Sequence, residues 1–400
     1  MAESAQDVRR MALGVIQSRL MDSRQLMDEF RSVLGRDSTI RHSQTAAHAA
    51  VNQTKNRYSN VLPYDHNRVL LRACDCGATN GPTCTSLAPS PSSSSSDYIN
   101  ASHVVHSDAQ CGFTVSYIAS QGPLPGTETD FWRMCWAERV GAVVMLTNTV
   151  ERGINKCSEY YPAQLGVRQR LRDGGGGGGI SVAVAAACGS RIAAAATEEA
   201  APPSTCLQEV AAVSSSSLHG GDLTYTVLRL VCGGGAACAA NGTGGGGAFR
   251  EVAHLHYTAW PDHGTPADAA AIRTLCDLVE PLRAAGGAVV VHCSAGIGRT
   301  GTFCAIDILR RRLAHLEVCA ASRPGSVRPD AVQAALDLPE LVHSLRRQRS
   351  GMVQTIEQYA FCYQAVYEEL QTALGGRGGG GGARGDGRGA TGTPPRMARR

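Results

Sequence analysis

Residues 286–312 read GGAVVVHCSAGIGRTGTFCAIDILRRR. An apolar strand pattern, Ala288–His292, enters a turn with three glycines and passes straight into a helical pattern from Arg299 to about Ala314. Gly296-x-Gly298-x-x-Gly301 matches the dinucleotide fingerprint, which also follows a strand and opens a helix. That fingerprint needs an acid at the end of a following strand about 20 residues on, and Arg312 and Leu313 stand there instead. A Walker A loop is excluded because Thr302, not lysine, follows Gly301. What these motifs share is a set of backbone N–H groups at a helix N-terminus, which makes a cradle for an anion. Here the cradle holds Cys293 and, six positions later, Arg299. A thiol among such donors is stabilised as thiolate, and a guanidinium fork matches two phosphate oxygens. The stretch therefore predicts attack of sulfur on a phosphoryl group, with Ser294, Ala295, Gly296, Ile297 and Gly298 wrapping the anion.

Such a reaction also requires a proton for the leaving group, which neither a thiolate nor an arginine supplies. Thirty-one residues upstream of Cys293 lies Trp260-Pro261-Asp262-His263-Gly264. Trp260 is a large anchor, Pro261 fixes one dihedral and Gly264 is able to hinge, so Asp262 reads as an acid on a mobile loop.

Outward from this centre, strands gather early and helices late. DYINASHVV and FTVSYIASQGP read as strands, 129–139 as a helix and 142–147 as a strand. Further strands are expected at Ile180–Ala187, Leu223–Val231 and Val252–Tyr257, and helices at 266–284, 330–346 and 355–372. Residues 6–34 carry apolar positions at helical spacing, for one or two amphipathic helices. The expected fold class is α/β (α+β), a central twisted mixed β-sheet flanked by helices.

Gly numbers 46 in 400 residues, with 17 of them in 171–250 and 11 in 375–400. Runs such as Gly174–Gly179 bury no side chain and lose much entropy on ordering, so they are read as insertions. With 73–96, 173–179, 188–221, 233–248 and the tail set aside, about 260 residues remain from residue 30 onward, the size of one large domain. The expected organisation is an N-terminal helical extension at 1–29, a catalytic domain at 30–372 and a disordered Gly/Arg-rich tail at 373–400.

The net charge is +4, and residues 375–400 contribute six arginines against one acid, Asp386. A near-neutral body with a basic tail argues against nucleic-acid binding. No apolar run reaches the ~18–20 residues of a membrane span, and MAESAQDVRR has no signal-peptide core. The 15 cysteines, an odd number without regular spacing, fit reduced thiols and a cytoplasmic location. Cys74, Cys76 and Cys84 lack a fourth ligand at zinc-like spacing, so neither metal nor cofactor is expected.

With these motifs in hand, the chain resembles the catalytic domain of the protein tyrosine phosphatases, in their non-receptor form. KNRYSNV, DYINAS, SQGPLP, FWRMCW, VVMLTN, HYTAWPDHG, HCSAGIGRTG and GMVQTIEQY come in that family's order and cover most of 55–364 outside the insertions. The resemblance implies Cys293 as the nucleophile of a phosphocysteine intermediate, Arg299 as phosphate clamp and Asp262 as acid, then base. It implies Gln354, with Gln358 beside it, orienting water; Thr300 assisting thiolate departure; and His292 helping keep the thiol ionised. Tyr58 would line a deep phosphotyrosine slot and Asn60 would contact the substrate backbone. Glu151, Lys156, Trp260 and Arg346 would support them. The implied partners are phosphotyrosine-containing proteins, dephosphorylated in signal transduction. Two other classes share parts of this pattern. A non-cleaving binding module would be expected to lack one of Cys293, Arg299, Asp262 or Gln354. A dual-specificity or phosphoinositide phosphatase generally lacks the KNRY and Gln segments. Reversible oxidation of Cys293 by peroxide is also expected of such a thiolate.

Overall fold

The computed structural model describes residues 2–71, 96–108, 111–171, 181–184, 207–232, 249–261, 264–323 and 325–375. Two helices open the chain, α1 (Ala2–Met21) and α2 (Ser23–Asp37), followed by single turns α3 (Thr45–His48) and α4 (Ala50–Gln53). Then come β1 (Arg68–Leu70), β2 (Tyr98–Asp108), β3 (Phe113–Ser120), α5 (Glu128–Ala137) and β4 (Val140–Met145). A small hairpin, β5 (Val150–Glu151) and β6 (Ile154–Asn155), precedes β7 (Val167–Arg170), β8 (Ser181–Val184), β9 (Leu207–Leu218), β10 (Leu223–Cys232) and β11 (Phe249–Tyr257). The remainder is α6 (Ala270–Ala284), β12 (Ala288–His292), α7 (Gly298–Ser322), α8 (Pro329–Ala335), α9 (Leu338–Arg346) and α10 (Ile356–Gly375).

Ten strands form one sheet in the order β1-β2-β3-β12-β4-β11-β10-β9-β7-β8. Its centre, β3-β12-β4-β11, is parallel, and the pairs outside it are antiparallel. The expected mixed sheet flanked by helices is what the chain builds. Parallel strands are covered on both faces and carry unbroken apolar runs, as Val289, Val290 and Val291 and the Val143–Leu146 stretch do. The four central strands run the same way, so their C-terminal ends open onto one crevice, where open α/β sheets place ligands. Ser120, Met145, Tyr257 and His292 end these strands.

Helix α7 emerges from that crevice and passes through the core. Every residue from Gly298 to Leu309 is buried, so its first three turns are enclosed on all faces. α1, α10 and α6 pack around it, with Val8, Ala12 and Ile16 of α1 in the same apolar cluster as Ile308 and Tyr363. Among the described residues no helix is long and apolar enough to cross a membrane.

Several boundaries differ from expectation. Residue 29 falls inside α2, whose Leu26, Phe30 and Val33 are buried in the main core, so the N-terminal helices are part of the domain rather than an extension. The range 188–221 includes β9, which pairs with β10 over most of its length and buries Leu207, Val210 and Ala212. Its Ser214–Ser217 run reads as low complexity, yet it lies in register with Thr224–Val227 of β10. The single helix expected at 330–346 is two, because Asp337 caps α9 by accepting from the Glu340 amide at 3.0 Å. α10 continues to Gly375. The expected insertions 173–179 and 233–248, nearly all of 73–96, and the tail beyond 375 lie outside the described residues.

Candidate active site

The loop between β12 and α7 is shaped from behind. Five successive carbonyls, from Cys293 to Ile297, are each taken by a donor outside the loop's concave side. Cys293 O lies 3.2 Å from His292 Nδ1, and Ser294 O accepts the Gly122 amide at 2.9 Å. Ala295 O and Gly296 O accept from the Arg349 guanidinium at 3.0 and 2.8 Å. Ile297 O accepts the Gly301 and Val353 amides at 2.9 and 3.2 Å. A planar trans peptide points its N–H away from its C=O, so fastening the carbonyls on the outside turns the amides inward. The result is the cradle that the glycine spacing predicts.

The glycines are required by close approach. Gly296 has φ +72°, and a Cβ there would stand 2.0 Å from Ser120 O. A Cβ on Gly301 would meet the Val353 amide nitrogen at 2.4 Å. One on Gly298 would crowd Gln358 and Gln354, at 3.0 and 3.2 Å. Both glutamines therefore cap the loop at the start of α7, with the Gln354 amide donating to Gln358 Oε1 at 2.9 Å.

Cys293, 5% exposed, sits at the base of the loop. Its Sγ accepts from the Gly296 amide and from the Thr300 hydroxyl, both at 3.3 Å. Burial is the main cause that pushes the thiols of Cys135, Cys276, Cys304 and Cys362 upward, and Cys157 to about 12. These are core residues, as expected for a small apolar side chain.

Arg299, 7% exposed, grips Glu151 through two parallel bonds of 2.6 and 2.9 Å. It also donates to Leu146 O at 3.0 Å and Pro261 O at 3.2 Å. Glu151 is fixed in turn by the Thr147 hydroxyl and the Asn148 amide at 3.0 and 3.1 Å. A buried pair held at both ends keeps the guanidinium plane fixed, although desolvating two charges makes it a poor source of stability. Lys156 follows β6, its amide bonded to Thr149 O at 2.8 Å.

The bond from Arg299 to Pro261 O joins the Cys293 loop to the segment after β11. Trp260 is buried there, its indole donating to Gly264 O at 3.2 Å and its ring packed against Phe361. Asp262 lies outside the described residues, between Pro261 and Gly264. Tyr58 reaches the site from the other side, its hydroxyl 2.9 Å from Ser294 Oγ. Asn60 is exposed and lines a separate cavity of about 270 Å³ with Asp37, Arg41, Tyr64 and Arg346.

Arg346 braces the site indirectly. It donates to Met352 O and Val353 O at 2.8 and 2.7 Å and pairs with Asp37, which fixes the turn leading to Gln354. Sequence reasoning missed Arg349, fully buried and bonded to the loop carbonyls, Asn100 and Ser102. Burial lowers it only to about 10, so it stays charged at neutral pH. It also missed Arg57, which ties the Tyr58 segment to Gly122 O and Pro123 O. The signal for Arg57 was its place inside KNRYSNV, whereas Arg349 stands two residues before GMVQTIEQY, outside any motif read from the sequence. Burial lowers His292 to about 3, so the ring works as a neutral hydrogen-bond donor to Cys293 O rather than as a positive charge. Among the described residues no group of three or more His, Cys, Asp or Glu side chains is arranged to hold a metal, and Cys74, Cys76 and Cys84 lie outside them.

The family model for Protein-tyrosine phosphatase matches residues 52–174 and 238–368. Protein-tyrosine-phosphatase PTP1 of Arabidopsis thaliana is 30% identical over 368 residues, covering 90% of this chain and 84% of the relative. The human tyrosine-protein phosphatase non-receptor type 20 is 31% identical over 81% of this chain, which spans 56% of that protein. Receptor-type tyrosine-protein phosphatase F of Rattus norvegicus is 31% identical over 80% of this chain, which spans only 12% of it. Receptor and non-receptor types thus both stand among the relatives, and the chain is a phosphatase enzyme. With matches on both sides of its Gly-rich middle and the cysteine cradle at its centre, it belongs to the protein-tyrosine phosphatase family.

Proposed function

We propose that the chain hydrolyses phosphotyrosine on proteins through a phosphocysteine intermediate. The observation that carries this reading is the pair of hydrogen bonds to Cys293 Sγ at the base of a loop whose carbonyls all face away. Sulfur attacks phosphorus, the S–P bond forms and the aryl P–O bond breaks. Developing charge on the phosphoryl oxygens meets the inward amides and Arg299. Asp262 gives its proton to the departing phenolate. In the second step Gln354 orients water, Asp262 takes the proton back, and sulfur leaves as a thiolate accepting from Thr300. Every charge change has a residue of this chain to receive it, so turnover should persist under chelation.

Specificity for tyrosine follows from depth. Tyr58 stands beside the loop and Cys293 lies at its base, so an aryl phosphate reaches the sulfur where shorter phosphoserine and phosphothreonine fall short. The further reading is a cytoplasmic, non-receptor enzyme that reverses tyrosine phosphorylation in signalling. Initial rates on phosphotyrosyl and phosphothreonyl peptides with a chelator present test the proposal. Turnover of the first alone, abolished in Cys293→Ser, is expected. Equal rates on both peptides, or activity retained in that variant, would overturn it.

A further inference from the structure

A file of buried side chains runs away from Cys293 behind the loop. The Tyr160 hydroxyl lies 2.7 Å from His292 Nε2 and 2.7 Å from His254 Nε2. His254 stands on β11, the strand that leads into Trp260 and Pro261. His292 reaches Cys293 O through Nδ1. All three rings are fully buried, and burial drives both histidines toward the neutral form.

One end of the file fixes the direction of every proton. A carbonyl only accepts, so His292 Nδ1 carries the hydrogen. The neutral ring then has a bare Nε2, which accepts from the Tyr160 hydroxyl. Tyr160 has given its only proton, so its oxygen accepts from His254, whose hydrogen must sit on Nε2. That leaves His254 Nδ1 as a bare lone pair, and this atom is among the buried polar atoms with no partner. An empty acceptor at the far end is what the one-way chain requires.

We infer that His254 is a positioning residue: it orients Tyr160, and through it the His292 tautomer and the Cys293 carbonyl. The inference rests on the proposed thiolate chemistry. Its advantage is polarisation, since each donor in an aligned chain strengthens the next. The titratable and charged groups facing the file are His256 on the same strand, Tyr161, Cys135, Cys157 and Arg57. His256 is tied separately, with Nδ1 2.9 Å from the Tyr161 hydroxyl and Nε2 2.9 Å from Thr147 O.

The test reads the Cys293 thiol directly, as the pH midpoint of inactivation by iodoacetate, together with turnover of a phosphotyrosyl peptide. His254→Phe should raise the midpoint by about half a pH unit and lower kcat/KM by ~3–10-fold. His254→Gln, which keeps an N–H donor, should recover to within about twofold. In a Tyr160→Phe background, His254→Phe should add nothing, because the chain is already cut. A purely structural role would instead give additive losses and no recovery by glutamine. Nitrogen NMR of the labelled wild-type protein gives a second measure: the proton on Nε2 of His254 and on Nδ1 of His292. The opposite tautomer at either ring, or an unmoved midpoint in His254→Phe, would overturn the inference. If the wild type fails to turn over substrate while these signatures hold, it is the proposed function that fails.

Discussion

Arg349 shows how one residue shapes a site without facing it. Its fork spans two neighbouring carbonyls of the Cys293 loop, at 2.8 and 3.0 Å, and anchors on Asn100 at 2.8 Å. Lysine keeps the charge but loses the planar fork. Arg349→Lys should therefore cost ~2–4 kcal/mol of stability by leaving buried acceptors unpaired, and slow turnover by ~10–100-fold. Urea unfolding and kcat measured on one preparation check this, and wild-type values for both would show that charge alone suffices. Cys293, Arg299 and the glycines were legible in the sequence because their chemistry is rare and their spacing tight. Arg349 was not, since RRQR holds three arginines of one composition. Which of them is buried depends on where α9 ends, and no local pattern encodes that.

At the scale of the element, the strand–loop–helix unit works because backbone meets backbone. Gly296 combines a left-handed φ with an approach that a methyl group cannot fit. Gly296→Ala should cost about 3 kcal/mol or more through strain and overpacking, and abolish measurable turnover. Gly35, exposed within α2 with open space around it, is the control. Gly35→Ala should stabilise by roughly 0.5–1 kcal/mol through helix propensity. Equal effects at the two positions in denaturant titrations would contradict the packing argument. β9 marks where reading by composition fails. Ser214–Ser217 resembles a linker by residue type, but a strand is defined by its neighbour, and β10 supplies the pairing.

Across the described residues of the molecule, ten strands and a buried central helix bring four strand ends to one crevice, and the N-terminal helices pack against α7, α9 and α10. The order of motifs made the sheet's centre legible. The packing of α1 and α2 was not, since an amphipathic pattern does not say what its apolar face will meet. Burying His254, His256 and His292 also has a consequence for the entire fold. Their folded-state values are lowered by burial, His292 to about 3, whereas the unfolded chain binds these protons near the usual 6.5. The unfolded state therefore binds more protons as pH falls below that value. Stability is fully present above about pH 6.5 and declines below it, by about 1.4 kcal/mol per pH unit for each fully uncharged histidine. Urea midpoints should fall steadily from pH 7 to pH 5, and a flat profile would refute neutral burial.

The central claim is that sulfur of Cys293 carries the phosphoryl group. Rapid quenching after mixing with a phosphotyrosyl peptide, followed by mass mapping of the digested enzyme, tests it most directly. The account predicts one phosphate on the peptide containing Cys293, appearing within the first turnover and absent in Cys293→Ser. Turnover with phosphate on another residue, or on none, would contradict it.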